Sequence, residues 1–236
     1  MEANESNVLT EKHATMQTTN AVKQQFLQQL NEQELLAKQH INFLEKTPKN
    51  ALRIDFLNAT FPNARFIYMF RQPNSNLSSI VDGWKSGRFV TYRNLKGWNG
   101  KYPWSFLLPK GWRDLPTNDL ATIANFQYCA SNQSIIDSLS KLNKSQTMAL
   151  SYEGFIENPR ACLKNICDFL DIQWSENFDQ AINKPNGLPL SKYTLDAPSK
   201  DKWRRNETLL SPVLKDAQNF YRNEILSAEE LINLKS

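Results

Sequence analysis

The alternation of apolar and polar positions along the chain predicts amphipathic helices separated by two short strands. Apolar side chains recur at helical spacing in six segments and again near residue 228; the six are residues 11–44, 51–60, 74–84, 118–142, 159–170 and 211–221. Apolar runs of strand type occupy residues 65–70 and 147–152. Because strands that are separated by helices tend to run parallel in one sheet, the pattern predicts an α/β fold. We expect one domain, residues 1–236, of which residues 1–15 look irregular.

The clearer strand ends at an arginine, and this end of the strand is the first candidate for chemistry. Its apolar residues run from Phe66 to Phe70, Arg71 follows, and Pro73 marks the start of a helix. Ser79 lies about two helical turns further on. Open α/β sheets bind anions at the carboxyl ends of strands, beside helix N-termini. The pair therefore predicts a phosphate clamp; the alternative is an arginine that caps the strand and pairs with an acid.

The composition indicates a globular protein of modest positive charge. The 28 Lys and Arg residues exceed the 24 Asp and Glu residues by four, and 40% of the residues are hydrophobic. No apolar run approaches the roughly 20 residues of a membrane-spanning helix, and the polar N-terminus resembles neither a signal nor a transit peptide. We therefore expect a cytoplasmic protein without a membrane span, in which Cys129, Cys162 and Cys167 are buried thiols outside any disulfide. No spacing of Cys and His predicts a zinc site.

A basic and aromatic stretch, residues 83–113, is the second candidate for chemistry. It contains no Asp or Glu, and its seven basic residues are Lys85, Arg88, Arg93, Lys96, Lys101, Lys110 and Arg113. Its four tryptophans are Trp84, Trp98, Trp104 and Trp112. The glycines and prolines between them indicate a long loop. Such a loop suits an anion with a flat or sugar-like ring, or single-stranded RNA. It equally suits a surface insertion whose tryptophans pack on the core, and both interpretations stay open.

Three separate motifs together cover most of the chain after Leu44. The first is the strand that ends in Arg71-Gln72-Pro73, with Ser79 beyond it. The second is a Tyr-Glu pair after the other strand, followed by Asn-Pro and Phe-Leu, within residues 152–170. The third is Glu-Lys-Thr-Pro at residues 45–48. These motifs resemble those of sulfotransferases that use 3'-phosphoadenosine 5'-phosphosulfate (PAPS), and the third is similar to an element of heparan sulfate sulfotransferases and many bacterial relatives. Those families usually carry Asp where this chain has Gln72.

The resemblance implies a fold, a reaction and a set of nucleotide-binding residues. The fold is the three-layer, P-loop-NTPase-like sulfotransferase fold with a parallel sheet. The reaction is transfer of a sulfuryl group from PAPS, the co-substrate, to a hydroxyl or amine of a small-molecule or carbohydrate acceptor, without a metal and without a nucleic-acid partner. In that family the residues that match Arg71 and Ser79 hold the 3'-phosphate. A basic loop that matches Lys200, Lys202 and Arg204 closes over the nucleotide.

The resemblance also implies a catalytic role for Glu45. In the heparan sulfate enzymes the matching glutamate is proposed as the general base that deprotonates the acceptor hydroxyl. The chemistry fits, because an alcohol that attacks sulfur must lose its proton. The alternative for Glu45 is a solvated carboxylate beside Lys46.

One element of the family pattern is missing from this sequence. The family begins with a strand, a Gly/Ser/Thr-rich loop and a helix that bind the 5'-phosphosulfate. Here the first 44 residues contain no glycine, and no Gly-x-x-x-x-Gly-Lys pattern occurs. We therefore expect a domain that is incomplete at its N-terminus. The chain is then the C-terminal part of a longer enzyme, which we favour, or a second chain supplies the loop, or the protein is a non-catalytic nucleotide- or RNA-binding module derived from this fold.

Overall fold

The structure is a computed structural model that describes residues 6–32, 42–116, 119–183 and 201–233. Its longer elements follow one another as α1 (Met16–Glu32), α2 (Ile54–Thr60), β1 (Phe66–Phe70), α3 (Pro73–Ser86), β2 (Val90–Tyr92), β3 (Trp104–Ser105), α4 (Leu120–Leu139), β4 (Thr147–Ser151), α5 (Tyr152–Glu157), α6 (Pro159–Leu170), α7 (Glu176–Ile182), α8 (Glu207–Phe220) and α9 (Leu226–Asn233). Short 3₁₀ turns occupy Glu11–His13, Pro48–Leu52, Trp112–Asp114, Lys144–Gln146 and Lys202–Asn206, and a π turn occupies Tyr221–Ile225.

Strands β1 and β4 form a parallel pair. Their register sets Phe66 opposite Thr147 and Phe70 opposite Ser151, so the carboxyl ends of both strands lie at the same edge. In the described part of the chain this sheet has two strands. The parallel pair, with helices α3 and α4 between its strands in the sequence, confirms the predicted α/β class.

Three helices enclose the main core on the strand pair. Helices α3, α4 and α8 pack on one another, and α3 contributes Leu77 and Val81, which are fully buried. Burial of an aliphatic side chain of this size stabilises a fold by about 1.5–3 kcal/mol. Other buried members of this core are Ile54, Tyr68, Phe70, Ala124, Tyr128, Leu139, Ala149, Leu210, Ala217 and Ile225. The core therefore fixes helix α3, which follows the arginine-bearing strand end, against the sheet.

The basic and aromatic stretch contains a short hairpin that the sequence pattern did not predict. Strands β2 and β3 are antiparallel, with Val90 opposite Ser105 and Tyr92 opposite Trp104. Strands of three and two residues are too short to show a period of two in the sequence. The expectation of a loop throughout residues 83–113 was therefore wrong at these positions.

Three of the four tryptophans in this stretch are core residues. Trp84, Trp104 and Trp112 are at most 2% exposed, and they form a second core whose other buried members are Leu95, Leu108 and Ile123. The ring centroids of Trp84 and Trp104 lie 5.4 Å apart, nearly perpendicular to each other, an arrangement that aromatic rings favour. For these three residues the structure therefore supports packing on the core.

The basic stretch rests on helix α3 at a glycine. A Cβ atom on Gly83 would lie 2.2 Å from Cζ of Phe106, so only glycine leaves room for that ring. Phe106 has a φ of 62°, an uncommon conformation for a bulky residue, and its ring stacks on Phe89 with 4.8 Å between centroids. Close contact with the helix thus fixes this part of the stretch.

An N-terminal asparagine joins the basic stretch to the segment that follows the Glu-Lys-Thr-Pro element. The buried Asn7 donates its backbone N–H to the Leu108 carbonyl at 2.7 Å and accepts from the Leu108 N–H at 2.8 Å. Its amide nitrogen donates to the Tyr92 hydroxyl at 2.6 Å, and its carbonyl accepts from Nε of Arg53 at 3.3 Å. A buried polar group with all these partners is stabilising rather than costly, so this contact holds the two segments together.

Several predicted element boundaries need correction. The helix expected over residues 11–44 is helix α1, and residues 42–47 are not helical; residues 33–41 lie outside the described ranges. Thr15 explains the late start, because its hydroxyl accepts from the Thr18 N–H and caps the helix. Pro48 disfavours helix at Thr47, the residue directly before it.

Other differences concern short or polar helices. The helix expected over residues 51–60 consists of the 3₁₀ turn Pro48–Leu52 followed by α2, and the helix expected over residues 211–221 begins earlier, as α8. Helices α5 and α7 were not predicted, because six or seven residues show too little periodicity. Within the described ranges no helix is both long and apolar enough to cross a membrane. The three cysteines are free thiols; Cys167 is buried, as predicted, whereas Cys129 and Cys162 are only partly buried.

Candidate anion-binding site

The candidate site begins where strand β1 ends. Arg71 directly follows the last residue of the strand, and helix α3 starts two residues later at Pro73. Proline suits this position because the first residues of a helix need no N–H partner inside the helix. Gln72, between them, is extended, with φ of −56° and ψ of 140°. The chain therefore turns directly from strand to helix at the carboxyl edge of the sheet, where α/β folds bind ligands.

The structure brings the two predicted clamp residues into contact. Nη1 of Arg71 donates to Oγ of Ser79 at 3.1 Å, and Oγ of Ser79 donates to the Ser75 carbonyl at 2.9 Å. Ser75 and Ser79 are four residues apart on helix α3, so both lie on one face of the helix. The serine hydroxyl is thereby held in place beside the guanidinium. Two side chains that bind phosphate well are adjacent, one charged and one neutral.

Residues after strand β4 complete the surroundings of the arginine. The Cζ atom of Arg71 lies 4.7 Å from the ring centroid of Tyr152, within the range of a cation–π contact. Nε of Arg71 lies 3.9 Å from Oε1 of Glu153, and both side chains are nearly three-quarters buried. Glu153 also accepts from the Gln72 backbone N–H at 3.2 Å. The acid-paired arginine that the sequence offered as an alternative is thus present together with the Ser79 contact.

A buried tyrosine supports the arginine from the core side. The Tyr128 hydroxyl donates to the Arg71 backbone carbonyl at 3.2 Å. Burial raises the pKa of Tyr128, and the negative charges of neighbouring groups raise it further. The phenol therefore stays protonated and remains a donor at neutral pH. This contact fixes the backbone from which the guanidinium extends.

A cavity of about 260 Å³ lies beside the clamp. It is lined by Gln72, Pro73 and Asn74 from the start of helix α3 and by Gln218, Tyr221 and Arg222 from the end of α8 and the π turn. Burial raises the pKa of Tyr221, and so does the carboxylate of Glu153. Helix N-termini favour negative charge, and Arg222 adds a cationic side chain to the lining.

Two of the predicted C-terminal basic residues, Lys202 and Arg204, lie in the 3₁₀ turn Lys202–Asn206. Lys200 is outside the described residues. Arg204 is exposed, and its Nε donates to Oδ1 of Asp201 at 3.0 Å while Nη1 lies 3.7 Å from Oε2 of Glu207. These carboxylates raise the pKa of Arg204. Lys202 is half-buried in the same turn. The described structure thus places Lys202 and Arg204 in one turn.

A buried asparagine anchors this turn to the helix that carries Ser79. The Nδ2 atom of Asn206 donates to Oγ of Ser78 and to Oδ1 of Asp82, both at 2.9 Å, and its Oδ1 accepts from Nζ of Lys85 at 3.1 Å. Arg205 adds an ion pair to Asp82. Because Asn206 is only 5% exposed, its three bonds fix the basic turn along helix α3. The sequence pattern did not indicate this asparagine, since nothing local marks a partner more than 120 positions away.

Glu45 stands apart from these contacts. Its side chain is exposed, and its Oε1 accepts from Nδ2 of Asn50 at 3.4 Å. The neighbouring Leu44 is 81% exposed. No contact between Glu45 and Arg71 or Ser79 is recorded among the described residues, so the structure does not bring all predicted site residues together. The described residues also contain no group of three or more His, Cys, Asp or Glu side chains suited to a metal ion.

Comparison with known proteins gives the family. The family model that matches residues 2–176 describes a sulfotransferase family. The chain belongs to this sulfotransferase family. The matched region contains both strands of the parallel sheet, the Arg71–Ser79 pair and the Tyr152–Glu153 pair, and it ends before the basic turn that Asn206 anchors.

The individual relatives are distant. A protein-tyrosine sulfotransferase of Drosophila melanogaster is 22% identical over 173 residues, which are 70% of this chain and 27% of that protein. An uncharacterized protein of Aquifex aeolicus is 21% identical over 192 residues, 79% of this chain and 22% of that protein. This chain therefore spans about a quarter of the length of these two relatives. Among solved structures, a sulfotransferase domain from the curacin biosynthetic pathway matches 80% of this chain and 67% of that chain, with 21% identity and a TM-score of 0.48.

The sequence contains an indication that Tyr152 and Glu153 lie near Arg71. Tyr152 and Glu153 come directly after the second predicted strand, as Arg71 comes directly after the first. Carboxyl ends of adjacent parallel strands meet at one edge, so the two strand ends were candidates for contact. The structure shows the direct contacts of this segment with Arg71.

Proposed function

We propose that this sulfotransferase family member transfers a sulfuryl group from PAPS to a hydroxyl or amine, and that Arg71 and Ser79 bind the 3'-phosphate of the donor. The observation that carries the proposal is the contact between Nη1 of Arg71 and Oγ of Ser79 at the carboxyl edge of the sheet. A guanidinium whose orientation is held by an aromatic ring and a carboxylate presents its remaining N–H groups in a fixed direction. Pre-organisation of this kind favours a phosphate over a weaker, less directional anion.

The other predicted residues take roles around this anchor. Lys200, Lys202 and Arg204 close over the nucleotide, and the turn that contains the latter two is held on helix α3 by Asn206. Glu45 accepts the proton of the acceptor hydroxyl. Its exposed position means that a bound acceptor has to cover it before it works as a base in a water-poor site.

Sulfuryl transfer requires positively charged groups where negative charge develops during the reaction. As the sulfuryl group moves in line from the donor to the acceptor oxygen, charge builds up on the departing phosphate oxygen. Cationic side chains and N–H donors stabilise such a charge without reorganising during the reaction. The basic segments of this chain supply cationic side chains on the nucleotide side, and the basic and aromatic stretch, residues 83–113, shapes the acceptor side.

Calorimetric titration with adenosine 3',5'-bisphosphate tests the anchor. We expect wild-type protein to bind and the Arg71→Ala variant to bind about 10- to 100-fold more weakly, because a charge-assisted phosphate contact contributes about 1.5–3 kcal/mol. For adenosine 5'-monophosphate, which lacks the 3'-phosphate, the binding affinities of the wild type and the Arg71→Ala variant should differ much less.

The matched control is Arg65→Ala, at the opposite end of strand β1. Arg65 pairs with Asp171, so its loss removes the same charge from the same strand without touching the clamp. Equal weakening by both variants would show that net charge alone governs binding and would refute the anchor. Binding without sulfate transfer to any hydroxyl or amine acceptor would favour the alternative, a non-catalytic nucleotide- or RNA-binding module, for which binding of single-stranded RNA should fall steeply with salt.

A further inference from the structure

A second cavity, of about 320 Å³, opens between helix α3, the basic and aromatic stretch and the start of helix α4. Its walls are Trp84, Trp98, Tyr102, Leu120, Ile123 and Leu209, with Lys85, Lys101 and Asp119. Its volume is at the lower end of the range for small-molecule sites. None of these residues belongs to the Arg71 clamp, so this cavity is a separate candidate site.

The aromatic walls of this cavity are flat and offer few polar groups. Nε1 of Trp84 donates to Oε1 of Gln127 at 2.9 Å, and Nε1 of Trp98 donates to the Tyr102 carbonyl at 2.8 Å. Both indole N–H groups therefore have partners within the protein. Trp84 is only 1% exposed, so the indole surface that the cavity offers to a ligand is that of the partly exposed Trp98, which suits a planar apolar molecule.

Charged groups stand at the same cavity. Lys85 and Lys101 are both exposed residues on its lining, and Nζ of Lys85 donates to Oδ1 of Asn206, which leaves further N–H donors on that ammonium. Asp119 also lines the cavity, but its carboxylate accepts from the Thr122 N–H at 3.0 Å as the N-cap of helix α4. Two cations against one helix-capping carboxylate favour a ligand with a negative charge.

The cavity lies a short distance along the same helix from the clamp. Trp84 and Lys85 are five and six residues beyond Ser79 on helix α3, which is about 8 Å along the helix axis. The Asn206 turn contacts this helix at Ser78 and Asp82 as well as at Lys85. One rigid helix therefore carries parts of both sites.

We propose that this cavity binds the acceptor, and that the acceptor is a flat, largely apolar molecule with an anionic group in addition to its reacting hydroxyl or amine. The ring of Trp98 holds the flat body, and Lys85 and Lys101 pair with the anionic group. The assignment as acceptor site rests on the proposed sulfuryl transfer. In that step the acceptor oxygen or nitrogen forms a bond to sulfur and gives up its proton to a base, and the bond from sulfur to the phosphate oxygen of PAPS breaks with its electron pair on that oxygen.

Equilibrium dialysis with a charge-matched pair of probes tests the assignment. Naphthoate and naphthalenemethanol share one ring system and differ in the negative charge. We expect naphthoate to bind about three- to fivefold more tightly than naphthalenemethanol, the range for partly exposed ion pairs. In the Lys101→Met variant this preference should fall towards unity, whereas Lys110→Met, which removes an exposed lysine from the same stretch outside the cavity, should retain it.

Competition with adenosine 3',5'-bisphosphate separates this inference from the proposed function. Saturating bisphosphate should leave naphthoate bound, because acceptor and nucleotide occupy different sites. Displacement of naphthoate would place the cavity in the nucleotide site and overturn the inference. The inference would also be overturned if naphthoate and naphthalenemethanol bound equally well, or if both lysine variants lost the preference for naphthoate to the same extent. Either result would count against the cavity even where the bisphosphate binds and its binding depends on Arg71 as proposed.

An assay of sulfate transfer completes the test of the acceptor role. Hydroxynaphthoate should accept sulfate from PAPS more efficiently than naphthol, in kcat/KM, and Lys101→Met should remove that advantage. Binding of hydroxynaphthoate without any sulfate transfer to it, from a donor that binds the clamp, would refute the acceptor role.

Discussion

The orientation of one guanidinium depends on residues from two strand ends. Arg71 follows β1, and the Tyr152 ring and the Glu153 carboxylate that contact it follow β4. The Tyr128 hydroxyl donates a hydrogen bond to the Arg71 backbone carbonyl from the core side. The Nε atom of Arg71 is buried without a hydrogen bond in the described structure, although Glu153 lies 3.9 Å away. These neighbours limit the rotamers of the arginine, and a restricted arginine loses less entropy when it binds an anion.

The Tyr152 ring makes a separable contribution to this orientation. We expect Tyr152→Ala to weaken binding of adenosine 3',5'-bisphosphate about two- to fivefold, because a cation–π contact of a partly buried arginine contributes about 0.5–1 kcal/mol. Tyr152→Phe keeps the ring and should bind like the wild type. Calorimetric titration of the three proteins makes the comparison. A loss in the phenylalanine variant as large as that in the alanine variant would contradict the role of the ring and assign the effect to the hydroxyl.

At the scale of elements, the free edge of strand β4 is covered by a side chain instead of a third strand. Oδ1 of Asn233 accepts from the Ala149 N–H at 3.0 Å, and its Nδ2 donates to the Ala149 carbonyl at 2.8 Å. A primary amide thus pairs with the strand as a neighbouring peptide would. Such coverage blunts an edge that otherwise offers unpaired backbone groups to other chains.

Removal of this amide should destabilise the fold. We expect Asn233→Ala to lower the free energy of unfolding by about 1–2 kcal/mol, because two backbone groups of the buried Ala149 lose their partner. Asn223→Ala, at an exposed position in the π turn, is the matched control and should change stability by less than about 0.5 kcal/mol. Urea denaturation at neutral pH measures both. Equal stability of the two variants would show that water replaces the Asn233 amide at no cost.

Elements were predictable from the sequence where the signal is local. Strand β1, strand β4 and helix α6 each have an apolar pattern and residues that mark their ends, such as Pro159 at the start of α6. Their predicted ranges agree with the structure to within one residue. The β2–β3 hairpin, the burial of Trp104 and the Asn206 contacts depend on partners distant in the sequence. The Arg71–Ser79 contact was predictable because strand end and helix face follow from spacing alone. The Glu153 contact required the pairing of β1 with β4, which no local pattern contains.

At the scale of the whole molecule, the core combines apolar packing with several ionisable groups that are neutral when folded. Burial raises the pKa values of Tyr68 and Tyr128, and burial with the nearby Asp216 carboxylate raises the pKa of Cys129 to about 11. Tyr68 donates to Oδ1 of Asn132 at 2.6 Å, and Asn132 in turn donates to the Tyr128 carbonyl. The hydrogen bonds of Tyr68, Asn132 and Tyr128 join β1 to α4. The stability of the core that supports the Arg71 backbone therefore depends on protonation of the two phenols.

The stability of the protein should therefore fall at alkaline pH, and the direction follows from proton binding. Below pH 9 the Cys129 thiol is protonated in both states, since its ordinary pKa is 9.0. Between pH 9 and about 11 the unfolded chain releases a proton that the folded protein retains, so rising pH favours unfolding. The raised pKa values of the two tyrosines add a further loss above pH 10. We expect the free energy of unfolding, measured by urea denaturation, to decrease steadily from pH 8.5 to about 10.5.

Variants separate the thiol from the phenols in this alkaline loss. Cys129→Ala removes the ionisable thiol, so its stability, though lower at neutral pH because of the lost packing, should fall less steeply between pH 9 and 10. Tyr68→Phe should reduce the slope only above pH 10, where the unfolded phenol ionises. A wild-type stability that stays level to pH 10.5, or the same slope in all three proteins, would show that these buried groups keep access to water. In that case the core beneath Arg71 would be looser than its packing indicates, and the clamp would depend on Tyr152 and Glu153 alone.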